Sequence, residues 1–444
     1  MNYKDIDTKI PTLGKAKIDS PVQRKKTGDK AQTFVSDDDR ILINIRPNTL
    51  EKMGKKIKDL PSLELAGPRE KIYFDPSKTK CALVTCGGLC PGLNDIIRSI
   101  VLELHHNYGV KNIYGIKYGL QGFIPKYGHD MMDLNPEVVV NLLERGGSII
   151  GSSRGPQDID EIVDCLDRQN IGILFMIGGD GTLMAATRIA DAIKEKKLKI
   201  SIVGIPKTID NDIYLVSRSF GFHTAVDEAT RAIKAAHNEA EGYPNGIGFI
   251  KLMGRHSGFI AATAVLAQQD VNFVLIPEVD FDLDGPNGFL NALEQRLKLR
   301  KHAVIVAAEG AGQKFFDKKG DNGKFDESGN IRLKDIGLFL KEKIASYFQA
   351  KNMEISLKYI DPSYTIRSLP ANANDHVFCN FLGRDAVHAA MAGKTRLLIG
   401  RWNEHFIHLP MSASAGKRKK IHPEEKLWLS VLEATGQGSL INEE

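Results

Sequence analysis

From Lys80 onward, short apolar runs alternate with stretches whose apolar residues recur at helical spacing. The run Cys81–Cys86 predicts a strand, Gly87-Gly88 ends it, and Leu93–His105 predicts the helix that follows. The rhythm repeats. Further strands are predicted at Ile113–Ile116, Ile171–Ile177, Ile200–Ile205, Gly246–Leu252, Phe273–Ile276 and Ala303–Ala308. Amphipathic stretches between several of them, Asp160–Gln169, Thr182–Lys194, Thr224–Glu241, Ser257–Gln268 and Gly288–Arg300, predict crossover helices. That alternation specifies parallel sheets and an α/β architecture. The body is too long for one core, so two lobes are expected, with ligands bound beyond the carboxyl ends of strands in a crevice between them. Residues 1 to about 71 differ: Lys and Asp are dense, and only Ile41–Ile45 reads as a strand. This segment is expected to be a flexible arm or an extension docked on the body or on another subunit. Gly310–Asn330, rich in Lys, Asp and Gly, predicts an exposed loop or hairpin.

Composition narrows the class. Of 444 residues 42% are apolar, too many for a disordered chain. Sixty basic against 55 acidic residues leave +5, which gives no ground for nucleic acid as a partner. Five cysteines (81, 86, 90, 165 and 379) are an odd number and predict reduced thiols in a reducing compartment. No apolar run approaches the ~20 residues of a membrane span, so a cytoplasmic protein without membrane contact is expected. Glycine stands out. Forty-one glycines are about 9% of the chain against a usual ~7%.

Four strand ends carry the candidate chemistry. Thr85-Cys86-Gly87-Gly88-Leu89-Cys90-Pro91-Gly92 leads into a helix and is either a phosphate cradle or a simple tight turn. It matches neither the dinucleotide glycine fingerprint nor the Walker loop. Gly178-Gly179-Asp180-Gly181-Thr182 adds a carboxylate, suited to holding Mg²⁺ through water or to capping the following helix. Lys207-Thr208-Ile209-Asp210-Asn211-Asp212 follows another strand; in an extended segment Asp210 and Asp212 would face the same side and divide labour as base and positioner. Met253-Gly254-Arg255 offers a guanidinium fork for a phosphate. Glu309, Tyr364 and Arg367 could complete a polyol-phosphate pocket. Lys417-Arg418-Lys419-Lys420 reads as a solvated loop.

In this order, from about Lys80 to Gly400, these turns resemble the phosphofructokinase family. The tract Tyr359–Arg367 and the long N-terminal extension resemble its plant and trypanosome branch, which includes bacterial members. The resemblance implies two Rossmann-like lobes with parallel-rich sheets plus the N-terminal extension. An arm over 1–75, a phosphoryl-donor lobe over 76–222 joined by about 370–397, and a sugar-phosphate lobe over 223–369 joined by about 398–444 are expected. It implies ATP and fructose 6-phosphate as partners, Mg²⁺ as cofactor, and transfer to the sugar's 1-hydroxyl. Asp210 would be the base, with Lys207, Thr208 and Asp212 assisting at the reaction centre. Gly87, Arg154, Gly179, Asp180, Gly181 and Thr182 would hold ATP, with Asp180 supporting the metal. Thr208, Asp210, Met253, Gly254, Arg255, Glu309, Tyr364 and Arg367 would bind the sugar phosphate. A homo-oligomer, tetramer or dimer, is implied as well.

Two positions depart from the short bacterial pattern: Gly246 stands where those enzymes carry an Arg reaching a neighbouring active site, and Tyr364 where they carry a His. The donor turns on two others. Gly181 leaves room for a nucleotide where pyrophosphate-dependent relatives carry Asp. Lys207 is shared with those relatives, but the plant and trypanosome ATP enzymes combine both residues, so ATP is expected. A pyrophosphate-dependent enzyme and an idle nucleotide or sugar-phosphate sensor are the alternatives; the sensor needs no base, yet Asp180, Asp210 and Asp212 are all present.

Overall fold

The predicted run at 81–86 forms the strand Lys80–Thr85, almost wholly buried, in a computed structural model that describes residues 6–22, 34–54, 56–316 and 332–442. Residues 317–330 of the expected loop, and 1–5, 23–33 and 55 of the expected arm, lie outside the described residues. The chain divides into two compact units. One comprises Met1–Thr208, Ile213–Gly221 and Leu369–Arg418; the other comprises Ile209–Asp212, Phe222–Ser368 and Lys419–Glu444.

The first unit is built on a nine-stranded sheet in the order Arg40–Leu42, Ser62–Leu65, His405–Pro410, Leu397–Trp402, Ser201–Pro206, Ile173–Gly178, Lys80–Thr85, Asn112–Ile116, Met132–Asp133. Its centre is parallel and its edges antiparallel. Ile173–Gly178 and Ser201–Pro206 are buried at every position, the signature of a sheet covered on both faces. On one face, Ile162, Val163 and Leu166 of helix Ile159–Arg168 and Ile189 and Ile193 of helix Asp180–Glu195 pack onto Ala82, Val84, Leu174, Met176 and Ile202. Helices Leu93–Leu102 and Ala373–Met391 pack on each other, and Gly383 admits the close approach: a Cβ there would lie 2.6 Å from the Ser99 hydroxyl.

The second unit carries a four-stranded, all-parallel sheet ordered Phe273–Leu275, His302–Ala308, Gly246–Leu252, Ser356–Ile360. Helices Phe289–Arg300 and Ile336–Ala350 cover one side through Phe289, Leu293, Leu340 and Ile344. Helix Phe222–Glu241 lies directly on the Gly246–Leu252 strand, because a Cβ at Gly248 would meet the Ala236 carbonyl oxygen at 2.5 Å. The α/β architecture of two units is therefore as expected.

Three boundaries move. The first predicted helix is α-helical only to Leu102 and continues as a wider π-helical turn, Glu103–Tyr108. The tail expected to join the sugar-phosphate lobe from about 398 stays in the first unit as far as Arg418, because Leu397–Trp402 pairs with Ser201–Pro206 and His405–Pro410 returns beside it. Finally, the stretch expected as an arm is partly built into the body: Ser62–Leu65 pairs with the His405–Pro410 strand, and Arg40–Leu42 adds outside it.

A buried ionic cluster holds that addition in place. One oxygen of Glu64, Oε1, accepts from Arg69 at 2.6 Å, Lys394 at 2.7 Å and His408 Nδ1 at 2.8 Å, and Asp37 takes the outer sides of both cations. Burial alone would raise Glu64, but the His408 hydrogen bond and the Lys394 ammonium overcome it and hold the carboxyl down to about 2. Burial pushes His408 down to about 4, against the pull of Glu64, so its imidazole is neutral at pH 7. Its Nε2 is buried with no partner among the described residues, so a second proton there would stay unsolvated beside Arg69 and Lys394. Both shifts have the same sign for stability. The unfolded chain takes up a proton at His408 below its ordinary 6.5 that the folded chain refuses until about 4, and Glu64 adds the same loss from 4.5 toward 2. Urea unfolding should lose about 3–4 kcal/mol between pH 7 and pH 4. A His408→Gln chain should show a shallower slope, and an unchanged slope would refute the assignment. At pH 7 Glu64→Gln, which leaves two buried cations underpaired, should cost about 3–5 kcal/mol.

Candidate active site

In the first unit, the carboxyl ends of three adjacent parallel strands carry the loaded turns. After Lys80–Thr85, Gly87 adopts φ +84°, where a side chain would be strained and its Cβ would stand 3.3 Å from the Lys207 ammonium. Lys207 is buried and donates to the Gly88 carbonyl at 2.7 Å, fastening the third turn to the first. The Ser152 hydroxyl donates to the Gly87 carbonyl at 2.7 Å, and Gly87 N–H donates to Ser153, so the loop bearing the exposed Arg154 is tied to the same turn. After Ile173–Gly178, Gly179 is the residue preceding the helix and Asp180 begins it. No side chain caps this helix, so Asp180 is not the cap that the sequence allowed. One of its oxygens instead accepts from Gly416 N–H at 2.8 Å. Gly178 leaves room for the buried Thr182, while a Cβ on the exposed Gly181 would meet nothing within 4 Å. Thr208 ends this unit's stretch, its carbonyl held by the buried Ser219 hydroxyl at 2.6 Å.

In the second unit, Asp210 and Asp212 belong with the turns after Gly246–Leu252 and His302–Ala308. The segment is not an extended one, so the condition for a same-side pair is not met: Ile209 and Asp210 sit in a turn, and Asn211 is left-handed at φ +54°. The two carboxylates interact all the same. Burial raises Asp210, the charges of Asp212 and Glu309 raise it further, and the Arg255 N–H and the Arg367 charge only partly offset them, leaving it at about 7. The buried Ser257 hydroxyl donates to the Asp210 carbonyl at 3.0 Å. Gly254 has φ +135° and no room for a side chain, since a Cβ would fall 2.6 Å from the Ser257 carbonyl oxygen. That close turn sets Met253 and Arg255 at the strand end. Glu309 follows the neighbouring strand, its N–H bonded to the Leu252 carbonyl at 2.9 Å, and burial raises it against the pull of Arg255 and Lys251. Arg367 lies with its guanidinium 5.0 Å from the centre of the exposed Tyr364 ring.

The second unit thus gathers Asp210, Asp212, Arg255, Glu309 and Arg367 into one electrostatically linked group. The first gathers Gly87, Gly179, Asp180, Gly181, Thr182, Lys207 and Thr208 on neighbouring strand ends, with Arg154 on an attached loop. Sequence reasoning missed two kinds of residue. Ser152, Ser219 and Ser257 pin the carbonyls of site residues, a role that serine has no pattern to announce. Lys419 was read as solvated, yet burial pushes it down to about 7 with the Asp212 carboxylate working against that shift, and its ammonium lies 4.9 Å from the centre of the Phe259 ring. Gly246 receives a steric explanation. A Cβ there would lie 2.0 Å from the Ala240 carbonyl oxygen, so helix backbone occupies the space an Arg side chain would need.

All five cysteines are buried and none is in a disulfide, and among the described residues no helix is long and apolar enough to cross a membrane. The phosphofructokinase profile matches residues 80–390. An ATP-dependent 6-phosphofructokinase of Borreliella burgdorferi is 51% identical over 440 residues, 98% of this chain and 97% of that protein. ATP-dependent 6-phosphofructokinase 7 of Arabidopsis thaliana is 47% identical over 85% of this chain and 77% of its own. An ATP-dependent 6-phosphofructokinase of Trypanoplasma borreli is 42% identical over 98% and 90%. In solved structures the fold recurs at 20% identity in a pyrophosphate-dependent phosphofructokinase from Marinobacter aquaeolei, with a TM-score of 0.65 over 81% of this chain and 91% of that one. With half of its residues shared along nearly its whole length, and with the profile spanning every loaded turn but its last basic run, the chain belongs to the phosphofructokinase family.

Proposed function

We propose that this chain is an ATP-dependent 6-phosphofructokinase that transfers the γ-phosphoryl group of ATP to the 1-hydroxyl of fructose 6-phosphate. The observation that carries the reading is Asp210, a carboxyl raised to about 7 by burial and by Asp212 and Glu309, with Arg255 and Arg367 beside it. A base near neutrality is what removal of a hydroxyl proton requires. Asp210 takes the proton from O1 as that oxygen attacks the γ-phosphorus in line, the bond to the β,γ-bridging oxygen breaks, and ADP leaves. Arg255 and Arg367 neutralise the sugar's 6-phosphate, while Met253, Gly254, Glu309 and Tyr364 hold its hydroxyl face. Lys207 and Arg154 neutralise the transferring oxygens. Gly87, Gly179 and the helix start at Asp180, Gly181 and Thr182 offer backbone N–H groups and a positive dipole end to the donor phosphates. Thr208 and Asp212 position the reacting groups.

A divalent ion fits this donor set. Asp180 is a partly exposed oxygen ligand that spends one oxygen on Gly416, and Mg²⁺ ordinarily takes one or two carboxylates, several waters and substrate phosphates. Asp180 would hold Mg²⁺, which supplies neutralisation of phosphate charge when bound. The five reduced thiols support a cytoplasmic location, although some relatives are named chloroplastic. A homo-oligomer, tetramer or dimer, belongs to the same reading and is read out by mass in solution. ATP rather than pyrophosphate is supported by the names of relatives up to 51% identical and by open space at Gly181.

Assays with Mg²⁺, fructose 6-phosphate and either ATP or pyrophosphate should give turnover with ATP. Turnover with pyrophosphate alone would reverse the donor, and none with either would favour a sensor. Asp210→Ser should lower kcat at least about a hundredfold with sugar-phosphate binding retained, and near-normal turnover would remove Asp210 from the role of base. Because nothing surrounds a Cβ at position 181, Gly181→Asp should fold within about 0.5 kcal/mol of the parent. The added charge should nevertheless cut kcat/KM for ATP at least about tenfold. Undiminished ATP use would discard the argument from space at that position.

A further inference from the structure

At the far end of the second unit's sheet, where Gly246 and His302 open their paired strands, three metal-ligating side chains converge. His237 and Glu241 are four residues apart in the last turns of helix Phe222–Glu241 and so share a face. His302 is the first residue of its strand. One donor atom from each lies within 4.8 Å of the others, and His237 Nε2 stands 3.5 Å from Glu241 Oε1. A tetrahedral zinc ion with bonds of roughly 2.0–2.1 Å sets its ligand atoms ~3.4 Å apart. The His237–Glu241 edge already has that length. The remaining edges need to close by at most about 1.4 Å, within reach of side-chain rotation in a site whose Glu241 is 55% exposed.

The atoms behind these ligands suit the same purpose. His302 Nδ1 lies 3.2 Å from the Arg300 carbonyl oxygen, an acceptor that keeps the proton on Nδ1 and leaves Nε2 as a lone-pair donor. His237 Nδ1 faces Asp270 Oδ2 at 3.5 Å, and Gln268 Nε2 donates to that same oxygen at 2.6 Å. A carboxylate behind a histidine, itself held by a further hydrogen bond, is the usual support for a zinc-bound imidazole. The two rings are tilted at 47° with centres 5.5 Å apart, so they converge rather than stack. Two imidazoles and one carboxylate favour a zinc-like ion over Mg²⁺, which prefers oxygen alone.

We propose that His237, Glu241 and His302 form a binding site for Zn²⁺ or a similar borderline divalent ion, completed by water, that clips the end of the helix to the start of the strand. Glu309 lies beyond the other end of the seven-residue strand His302–Ala308, ~20 Å away at strand spacing, so the ion stands apart from the catalytic groups of its own chain and acts on stability. Without metal, the same side chains would be no more than a helix-surface ion pair, and the two readings separate by experiment.

Zn²⁺ is titrated into the full-length protein against a chromophoric chelator, with excess Mg²⁺ present. The wild type should bind one equivalent that His302→Gln loses, at least about a hundredfold in affinity, while Asp270→Asn weakens it about tenfold. Co²⁺ should give visible d–d bands of tetrahedral character in the wild type and not in His302→Gln. Zn²⁺ should raise the melting temperature of the wild type alone, and kcat should be the same in all three proteins. Equal Zn²⁺ binding by wild type and His302→Gln, or no Zn²⁺ bound by the wild type at micromolar concentration, would overturn the site. Asp270→Asn keeps all three ligands and decides the matter should His302→Gln fold poorly.

Discussion

Removing a carboxylate from water penalises its charged form, and in this chain that penalty is the source of basicity. Asp210 is raised by burial first and by the charges of Asp212 and Glu309 second. If the surroundings relaxed toward solvent, the carboxyl would return to its ordinary range and lose its grip on a sugar proton. The local architecture reads as a set of restraints against that relaxation. Ser257 holds the Asp210 carbonyl, Gly254 folds back onto Ser257 with no space for a side chain, and Glu309 is fastened to the Leu252 carbonyl. Parallel strands make this possible, because they end side by side and deliver several turns to one edge of a sheet.

The parts of the fold legible in the sequence are those with strong period and clear punctuation. Gly246–Leu252 forms over its predicted bounds, and the crossover helices agree to within a few residues. Helix Ala373–Met391 was not anticipated, since it is buried around much of its circumference and has no polar face to betray its period. The hairpin from Leu397 to Pro410 also escaped notice. It turns through Asn403 and Glu404, both at positive φ, without the glycine that usually marks such a turn.

The site was legible in its residue types and not in its local geometry. Glycines and charged residues at strand ends identified the turns, while only the structure, with Asn211 at positive φ, decides that the segment carrying the two carboxylates is not extended. Lys419 illustrates the other limit. A lysine in a basic run is a solvated residue by default, and only tertiary burial makes one member of the run an exception. The same holds for Glu64, which sits in a segment too polar to announce a core. It becomes structural because Lys394 and His408, more than 300 residues later, close over it.

Gly246 carries a consequence for what this chain can accept at that position. The helix backbone at Ala240 stands where any side chain at 246 would begin. A single codon change to a long cationic residue would therefore meet an occupied volume before it could reach any ligand. An Arg at 246 would first require the end of helix Phe222–Glu241 to be repositioned. In this chain the position is closed by backbone, so a side chain there depends on a change elsewhere in the fold.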